Sequence, residues 1–566
     1  MVEEQAGGGA GQDELVFLPL GGIGEIGMNC YLYGLGPADA RQWLMVDLGI
    51  TFPEGENDPG VDVILPDLRY IEAERGSLAG LVLTHAHEDH LGAVIELWPR
   101  LRVPIYATPF TAALLKAKEA EFGRRQELPI RELGLNSRFE VGPFRLELVE
   151  VAHSIPESNA LILRTPLGTV LHTGDWKLDS VPVVGGGANV GRFGEIGAEG
   201  ILALACDSTN AMRDGRSPSE KEVARSLAEI IGNAKRRVAV TIFASNVVRI
   251  RAVWEAARAA GRRLVVAGRA MHRIIDVAKE TGYLPRDFAY DDQSRFSELA
   301  AHEIVALCTG SQGEPRAAMA RICANEHPDI ALDYGDLVIF SSRTIPGNER
   351  AVSQVQNRLV DLGCEVITDA DALVHVTGHP RRGELVEMYA AVRPRIAIPM
   401  HGEPRHLEAH RRLARSAGVK DVVCPRNGAM VRLAPGTPEV IDHAPVGRLF
   451  RDGNLLVPTD EGPVRERRSL AFAGIVIVAL TRSSRGNVSR DAQIVLDGVP
   501  QADANGRPMA EIVRRAIEGT LASIPRDRHK DTEMVREAVR RAVRSAVDDA
   551  WGKRPVVKVL LTQAMP

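Results

Sequence analysis

The segment LTHAHEDH places three histidines and one aspartate directly after the apolar run GLVL: His85, His87, Asp89 and His90. Imidazole and carboxylate groups are the ligands that Zn²⁺ binds when no thiolate is offered. His85 and His87 are two positions apart, so on a strand they point to the same side. The turn that follows allows Asp89 and His90 to face a second ion. We therefore predict a pair of metal ions about 4 Å apart, an arrangement that stabilises the attacking and leaving oxygens in phosphoryl chemistry.

Two ions need further ligands, and four more candidates each follow an apolar run: His153, Asp175, Asp207 and His401. A single histidine after a strand is more often a hydrogen-bonded structural residue. The joint presence of all four candidates in one chain favours metal binding instead. His172 lies within the strand run that leads to Asp175, and we interpret it as structural.

Asp47 ends the apolar run WLMVD and has no metal-like neighbours in the sequence. A carboxylate in such a place can accept a hydrogen bond from the second ring nitrogen of a ligating histidine and so fix its tautomer. The alternative is an aspartate that turns the chain at the end of a strand, and it fits the spacing equally well.

The elements that must position these residues are short apolar runs, which alternate with helical stretches from Leu15 onward. Several runs end in a polar residue of catalytic type, which predicts a doubly covered sheet with a loop-built site at one edge. From about residue 217, longer helical stretches alternate with buried-strand runs such as RVAVTIF and DLVIFSS. That βαβ pattern predicts an inserted domain with a parallel sheet.

A chain of 566 residues is too long for one core, so we expect several domains. The C-terminal helical stretch has an apolar stripe that includes Val535, Val539 and Val543, which indicates core packing first and a subunit contact second. The expected organisation is a disordered tail at 1–14, a first domain in two parts at 15–215 and 385–447, an inserted α/β domain at 216–384, a linker at 448–465 with or without one short strand, and a small α+β domain at 466–566 whose first strand is 471–480.

The overall charge of the chain does not indicate a nucleic-acid partner. With 69 basic and 74 acidic residues the formal net charge is −5, so nucleic-acid binding would need a local basic patch. Five arginines are candidates for such a patch, although ordinary solvated arginines are at least as good an interpretation of each: Arg249, Arg269, Arg343, Arg381 and Arg382. Six scattered cysteines without CxxC spacing, no export signal and no apolar run long enough to span a bilayer predict a cytoplasmic protein without a membrane segment.

Two glycine-containing motifs have patterns known from phosphate-binding loops. Residues 22–27 (GIGEIG) satisfy GxGxxG after a strand, but a dinucleotide fold requires a helix next, and MNCYLYGL is typical of a second strand. We therefore predict a Gly-rich hairpin turn. The segment TGSQGEP, at 309–315, is either a phosphate-binding nest or a plain loop between a strand and a helix.

Taken together, the motifs resemble the metallo-β-lactamase superfamily, its β-CASP nucleases, and within these the RNase J family. HxHxDH followed by His153, Asp175 and a late His401 is the series of superfamily motifs, and Asp207, His379 and His401 are similar to the three further β-CASP motifs. The narrower resemblance rests on PLGGIGEIGMN (19–29), LTHAHEDHLGA (83–93), HTGDWKLD (172–179), DSTNA (207–211), FASNVVRI (243–250), TGSQGEP (309–315), SSRTIPGNE (341–349), HVTGH (375–379) and PMHGEPRHL (399–407). It implies an αββα metallo-β-lactamase sandwich with an inserted β-CASP α/β domain and a small C-terminal α+β domain.

The resemblance also implies roles for individual residues. One zinc ion would be held by His85, His87 and His153, and the other by Asp89, His90 and His401, with Asp175 bridging both. The HVTGH segment would hold the phosphate of an RNA nucleotide, with His379 against the scissile phosphate; its members are His375, Val376, Thr377, Gly378 and His379. Ser311 and Gln312 are further candidates for recognising the 5′ end, and Asp89 or Asp207 for accepting a proton.

The activity implied is 5′-to-3′ hydrolysis of single-stranded RNA that carries a 5′-monophosphate, with endonucleolysis as a second mode, in mRNA decay and the maturation of rRNA and other RNAs. Two zinc ions, for which manganese or magnesium could substitute, would lower the pKa of a shared water so that hydroxide attacks phosphorus in line. Homodimers or homotetramers, and a place in an RNA-decay complex, are also implied.

Three other functions would leave different signs in the sequence. A thioester or lactam hydrolase on the same metal frame would lack the insert and HVTGH. A DNA nuclease of the same group is poorly separated by sequence, because recognition of the 2′-hydroxyl leaves no motif. A scaffold with a dead metal site is opposed by the intact set of ligands.

Overall fold

The computed structural model describes residues 12–53, 55–123, 127–179, 190–345, 347–459, 462–483, 487–489 and 491–563. The chain divides into two compact units. The first consists of the chain up to Thr51 together with Ile64–Arg448, and the second of Phe52–Val63 together with Leu449–Pro566. No described helix is both long enough and apolar enough to cross a membrane.

Two large mixed sheets share one apolar core in the first unit, to which Phe17 and Val46 contribute from one sheet and Leu161 and Ile398 from the other. The first sheet has the order β21 (Glu439–His443), β20 (Ala429–Ala434), β1 (Glu14–Gly21), β2 (Cys30–Gly36), β3 (Gln42–Val46), β5 (Leu78–Val82), β6 (Ile105–Ala107), β7 (Ile130–Glu132). The second has the order β19 (Asp421–Val422), β18 (Ile396–Met400), β12 (Ala203–Asp207), β11 (Gly168–His172), β10 (Asn159–Thr165), β9 (Phe144–Glu150), β8 (Arg138–Val141). Strand β4 (Val63–Pro66) precedes the first helix.

The outer faces of both sheets are also buried. Ile162 and Leu204 alternate with the inner residues of the second sheet and join a second core with helix side chains such as Phe193, Leu385 and Leu413. A sheet buried on both faces produces the near-continuous apolar runs seen in the sequence. The helices of this part are α1 (Arg69–Ala73), α2 (Glu88–Leu91), α3 (Val94–Leu101), α4 (Pro109–Phe122), α5 (Val190–Ala198), α11 (Arg382–Val392) and α12 (Pro404–Ser416).

Between β12 and α11 the chain forms a five-stranded sheet with its own core, in which every recorded strand pair is parallel. The parallel insert predicted from the βαβ pattern is confirmed. Its strands, in sheet order, are β14 (Arg263–Ala267), β15 (Ile304–Cys308), β13 (Val238–Thr241), β16 (Leu337–Phe340) and β17 (Glu365–Ile367). Its helices are α6 (Glu220–Asn233), α7 (Val247–Ala259), α8 (Arg269–Glu280), α9 (Ala318–Cys323) and α10 (Glu349–Asp361).

The second unit contains a hairpin, a three-stranded sheet and three helices. Its core includes Val535, Val539 and Val543, so the apolar stripe of the last helix packs inside this unit, as its first interpretation predicted. The elements are β22 (Arg448–Asp452) and β23 (Leu455–Pro458), α13 (Pro463–Ala473), β24 (Ile475–Arg482), β25 (Gln493–Asp497), α14 (Met509–Ser523), α15 (Thr532–Trp551) and β26 (Val556–Gln563). Short 3₁₀ helices elsewhere in the chain are Gly55–Asn57, Arg75–Ser77, Gln293–Ser297, Ala301–Glu303 and Arg526–Lys530.

Three expectations about local structure were wrong in part. The strand expected at 471–480 begins only at Ile475, because α13 continues to Ala473 and Gly474 ends it with a φ of 66°. A short apolar run fits a helix and a strand equally well, which explains the error. The linker expected at 448–465 contains two paired strands and the start of α13. The tail expected at 1–14 lies outside the described residues up to 11, and Glu14 already belongs to β1.

Candidate metal centre

Parallel strands bring the candidate ligands together. Strands β11, β12 and β18 are parallel neighbours, so their carboxyl ends meet at one edge of the second sheet. Asp175 lies just beyond β11, Asp207 ends β12, and His401 directly follows β18. In the first sheet, the parallel strands β3 and β5 lead to Asp47 and His85.

A first group of ligand atoms comes from His85, His87, His153 and Asp175. His87 Nδ1 lies 3.2 Å from His85 Nε2 and 3.0 Å from His153 Nε2. Asp175 Oδ2 lies 3.8 Å from His85 Nε2 and 3.6 Å from His153 Nε2. Three imidazole nitrogens and one carboxylate oxygen therefore face a common point.

A second group consists of Asp89, His90, His401 and the same Asp175. His90 Nε2 lies 3.3 Å from Asp175 Oδ1 and 3.7 Å from Asp89 Oδ2. His401 Nε2 lies 3.5 Å from Asp175 Oδ2 and 3.6 Å from Asp89 Oδ2. The structure thus brings together all seven side chains that the family resemblance implies as ligands, and Asp175 belongs to both groups.

These distances fit bound cations. Zn–N bonds of about 2.0–2.1 Å place the ligand atoms of a tetrahedral site roughly 3.3 Å apart. The distances given above range from 3.0 to 3.8 Å, and all ligand atoms of a group lie within 4.8 Å of one another. Among the described residues, the buried Asp175 Oδ1 has no hydrogen-bond donor. A buried carboxylate oxygen without a donor is costly unless a cation faces it. The donor set of imidazoles and carboxylates is also one that divalent ions prefer.

The first group is held in the protonation state that metal binding needs. Burial, with the neighbouring histidines, lowers the pKa of His85 and His87 well below the usual range. Burial also lowers the pKa of His153 to about 4. Burial alone would raise the pKa of Asp175, but the neighbouring His401 and His90 lower that pKa by more than burial raises it, so the carboxylate stays ionised. Neutral imidazoles and an ionised carboxylate are the forms that ligate metal.

Asp47 and Thr84 support the ligands from behind. His90 Nδ1 donates to Asp47 Oδ2 at 2.7 Å, which leaves His90 Nε2 to face the second group. Thr84 donates to Asp47 through both its backbone nitrogen, at 2.7 Å, and its hydroxyl, at 2.8 Å, and the hydroxyl lies 3.0 Å from His85 Nδ1. Asp47 has a φ of 61°, in the left-handed region where aspartate is tolerated better than most residues. Nothing in the type or spacing of Thr84 predicted this contact from the sequence.

Asn29 and the Gly-rich turn also lie against the ligands. Strands β1 and β2 pair as an antiparallel hairpin around residues 22–27, so the interpretation as a turn is confirmed. Asn29 Nδ2 donates to Asp89 O at 3.1 Å, and the His401 backbone nitrogen donates to Gly22 O at 2.8 Å. His172, interpreted as structural, is buried in β11 with its Nδ1 3.0 Å from the Tyr33 hydroxyl, and it belongs to none of the ligand groups found among the described residues.

Asp207 and His379 form a third group together with His401. His379 Nδ1 donates to Asp207 Oδ2 at 2.7 Å. Burial lowers the pKa of His379, but the Asp207 and Asp175 carboxylates outweigh burial and raise that pKa to about 9. Asp207 and Asp175 therefore favour the protonated form of this imidazole, which lies next to the two ligand groups.

The segment 375–379 is attached directly to a ligand. His153 Nδ1 donates to Gly378 O at 2.7 Å, and a Cβ on Gly378 would lie 2.5 Å from the same nitrogen. Glycine is thus required for this approach. Thr377 Oγ1 accepts from Asn210 Nδ2 at 2.8 Å and from the His379 backbone nitrogen at 3.1 Å. Like Thr84, Asn210 lies within a conspicuous sequence motif, but its type and spacing did not predict this contact.

His375 and Val376, at the start of that segment, are largely enclosed. Burial, together with the nearby Arg249, lowers the pKa of His375 to about 3. Ser311 and Gln312 are buried as well. Gln312 uses its amide within the insert, since Nε2 donates to Arg343 O at 2.9 Å and Oε1 accepts from Ile345 N at 2.8 Å. Their part in recognising the 5′ end stays a prediction.

Both interpretations of Arg249, a channel residue or an ordinary solvated arginine, are wrong. Its side chain is fully buried and paired with Glu220 at 2.7 Å. Arg382 pairs with Asp214 at 3.0 Å, and Arg269 is exposed. The burial of an arginine depends on a partner distant in sequence, which periodicity does not reveal.

Comparison with known families agrees with this geometry. The chain matches the models for the metallo-β-lactamase superfamily at residues 23–189, the ribonuclease J β-CASP domain at 235–359, the Zn-dependent metallo-hydrolase RNA specificity domain at 363–425, and the ribonuclease J C-terminal domain at 462–564. The predicted fold class, a metallo-β-lactamase fold with β-CASP and C-terminal domains, is confirmed. Membership in a metallo-hydrolase family and the His/Asp groups together indicate that the chain binds divalent metal.

Curated relatives extend over nearly the whole chain. A protein named ribonuclease J from Sinorhizobium meliloti is 50% identical over 554 residues, which are 98% of this chain and 98% of the relative. Another, from Thermus thermophilus, is 36% identical over 558 residues, which are 97% of this chain and 95% of the relative. A crystal structure of a protein of unknown function from Enterococcus faecalis V583 covers 74% of this chain and 100% of its own, with a TM-score of 0.51 and 16% identity, and it shows the fold alone.

The predicted resemblance is therefore confirmed over the length of the molecule, and with it the RNA substrate and the dependence on metal. This chain belongs to the ribonuclease J family and is a metal-dependent ribonuclease.

Proposed function

We propose that this ribonuclease works with two zinc ions, removes nucleotides from RNA in the 5′-to-3′ direction with a preference for a 5′-monophosphate, and also cuts internally. The observation that carries this proposal is the sharing of Asp175 by two ligand groups beside the 375–379 segment. The seven ligands would be divided between the ions as the two groups are. Manganese or magnesium would be able to replace zinc.

When bound, the two ions would lower the pKa of a water toward neutrality and offset negative charge on the phosphate oxygens. The chain's own residues orient the substrate. Thr377 and the backbone of the 375–379 segment would hold the phosphate, and His379 would lie against its oxygens. Asp207 holds His379 in place through the 2.7 Å hydrogen bond, and either Asp207 or Asp89 would accept the proton.

The wider role that we propose is turnover of mRNA and maturation of rRNA and other RNAs in the cytoplasm, by a homodimer or homotetramer within an RNA-decay complex. All six cysteines, every one a described residue, are free thiols, as expected in a reducing compartment. Ser311 and Gln312 are proposed to help recognise the 5′ end.

The test is an assay of purified, metal-loaded protein on matched RNAs with a 5′-monophosphate, 5′-triphosphate or 5′-hydroxyl, and on DNA of the same sequence. We expect rapid release of mononucleotides from the 5′-monophosphate RNA. His87→Ala and His379→Ala should abolish it, whereas the same change at the exposed His443 should not. Equal cleavage of DNA would contradict the RNA preference, and zinc content below two ions per chain would contradict the proposed metal centre.

A further inference from the structure

A buried ion pair lies behind the 375–379 segment. Arg249, in the first turn of α7, and Glu220, the first residue of α6, are 0% and 3% exposed. Arg249 Nη2 donates to Glu220 Oε2 at 2.7 Å. Neither side chain faces solvent, so this pair is not an RNA-contacting surface.

The other half of the guanidinium holds the backbone that leads into the segment. Arg249 Nη1 donates to the carbonyl oxygen of Val374 at 2.6 Å and also to the Ser341 hydroxyl. The Ser341 hydroxyl in turn donates to the same Val374 oxygen at 2.7 Å. Two donors therefore converge on one carbonyl, one residue before His375, and fix the position from which the segment starts.

The pair also connects this carbonyl to the chain that carries Asp175. The Glu220 backbone nitrogen donates to Asp179 Oδ2 at 3.3 Å, and Lys177 Nζ lies 3.3 Å from the same oxygen. Asp179 is four residues beyond Asp175 and is itself buried. A continuous set of hydrogen bonds thus runs from the segment after the shared ligand, through Glu220 and Arg249, to Val374.

Stability alone is a weak reason to bury such a pair. Removing two charges from water costs about as much as their attraction returns, and apolar residues of similar volume often replace a buried pair without loss of stability. A planar guanidinium that donates in two directions at once provides geometry that apolar residues do not. The contacts point to a function in placing backbone.

We propose that Arg249, held by Glu220, is a positioning residue that sets the 375–379 segment at the distance from Asp175 needed to hold a nucleotide phosphate. The proposal rests on the phosphate-holding role of that segment given under Proposed function. Arg249 touches neither RNA nor metal, and it acts through the Val374 carbonyl.

The test compares four variants of the full-length, zinc-loaded protein, of which the fourth, Thr377→Ala, is described last. Arg249→Met combined with Glu220→Met removes both charges and keeps the volume. Ser341→Ala removes one donor to Val374 and leaves the pair. Arg262→Met is the matched control, because Arg262 is nearly as buried and donates to the backbone carbonyls of Ala234 and Arg236 at the opposite edge of the same sheet.

The deciding measurement is the inhibition constant of adenosine 5′-monophosphate against turnover of 5′-monophosphate RNA. This constant does not depend on the fraction of folded enzyme, so mere destabilisation leaves it unchanged. We expect it to rise at least fivefold in the double variant and about threefold in Ser341→Ala, and to stay within twofold in Arg262→Met.

An unchanged inhibition constant in the double variant would overturn the proposal, even if total activity fell. Should the double variant not fold, Ser341→Ala decides by the same criterion. Thr377→Ala distinguishes failure of the positioning role of Arg249 from failure of the phosphate-holding role of the 375–379 segment. If it raises the constant and the other variants do not, only the role of Arg249 fails; if Thr377→Ala has no effect, the segment does not hold phosphate and both proposals fail.

Discussion

At the scale of single residues, one carboxylate decides the geometry of the centre. Asp175 Oδ2 lies 3.6 Å from His153 of the first group and 3.5 Å from His401 of the second, while Asp175 Oδ1 lies 3.3 Å from His90, so this one carboxylate approaches histidines of both ligand groups. Asp47 belongs to neither ligand group and acts on the histidine rings. Its contacts with His90 and Thr84 determine which ring nitrogen is free to ligate.

Asp47→Asn is expected to weaken metal binding by about 10–100-fold, because an amide is a poorer acceptor and no longer fixes the His90 tautomer. Competition with a chromophoric chelator measures the affinity. Asp442→Asn, at an exposed position of β21, is the control and should leave affinity unchanged. Unaltered affinity in Asp47→Asn would show that the turn-forming role suggested by the spacing is the only one.

Burial of His410 makes the free energy of unfolding depend on pH. His410 is fully buried between the Ser208 hydroxyl at 2.8 Å and the Tyr389 hydroxyl at 2.9 Å, and burial lowers its pKa to about 4. The unfolded chain takes up the proton near pH 6.5 and the folded chain only near pH 4. Stability from this group is therefore present above about pH 6.5 and is lost as the pH falls toward 4, by about 3 kcal/mol in all.

His410→Gln should flatten that part of the profile, since glutamine does not titrate. Denaturant unfolding between pH 4 and 8 measures the effect, with His443→Gln as the control for the loss of an exposed histidine. An unchanged slope between pH 6.5 and 4 in His410→Gln would contradict the assignment.

At the scale of elements, the loop after β3 lies directly against the helix that carries two ligands. Leu48 N donates to His90 O at 2.7 Å and Ile50 N donates to Glu88 O at 3.0 Å. Between them, a Cβ on Gly49 would lie 1.7 Å from Asp89 O. The backbones of α2 and of the loop after β3 approach this closely only because position 49 has no side chain.

Gly49→Ala is therefore expected to push α2 away, to cost about 1–3 kcal/mol in free energy of unfolding, and to weaken binding of the ion held by Asp89 and His90. Chemical denaturation and metal titration measure the two effects. Gly76→Ala is the control, since a Cβ there meets nothing within 4 Å. Equal stability and metal affinity in the two variants would contradict the close approach.

The sequence pattern predicted the candidate ligands that the structure brings into two groups, but it did not predict the residues that hydrogen-bond to them. The residue types and spacing between His85 and His90 predicted a metal site. The alternation of helical stretches and buried-strand runs predicted the parallel insert. Thr84, Asn210 and the buried Arg249 have common side chains whose roles depend on partners up to 169 residues away in the sequence. The helix that ends at Ala473 shows the same limit at the level of elements, because its final apolar run fits either secondary structure.

At the scale of the whole molecule, all seven candidate ligands lie in the first unit, while the second unit has a core of its own. A ligand that binds only the folded state stabilises the part that holds it, by about 4 kcal/mol when its free concentration is a thousandfold above its dissociation constant. Metal should therefore stabilise one unit selectively.

We expect a chelator to lower the temperature at which the first unit unfolds and to leave the second unit nearly unchanged. Calorimetry with and without the chelator, combined with hydrogen exchange of peptides from α14 and α15, distinguishes the two. A single transition that shifts as a whole would contradict independent cores.

The order of the ligands along the chain has a consequence for biosynthesis. His85, His87, His153 and Asp175 all precede the insert, whereas His379 and His401 come near its end and beyond it. When the ribosome has translated the insert, all four residues of the first ligand group have been synthesised, whereas the second group still lacks His401. The nascent polypeptide gains its full set of candidate ligands only after residue 401 emerges, so the second ion cannot be held by all four of its candidate ligands before that point.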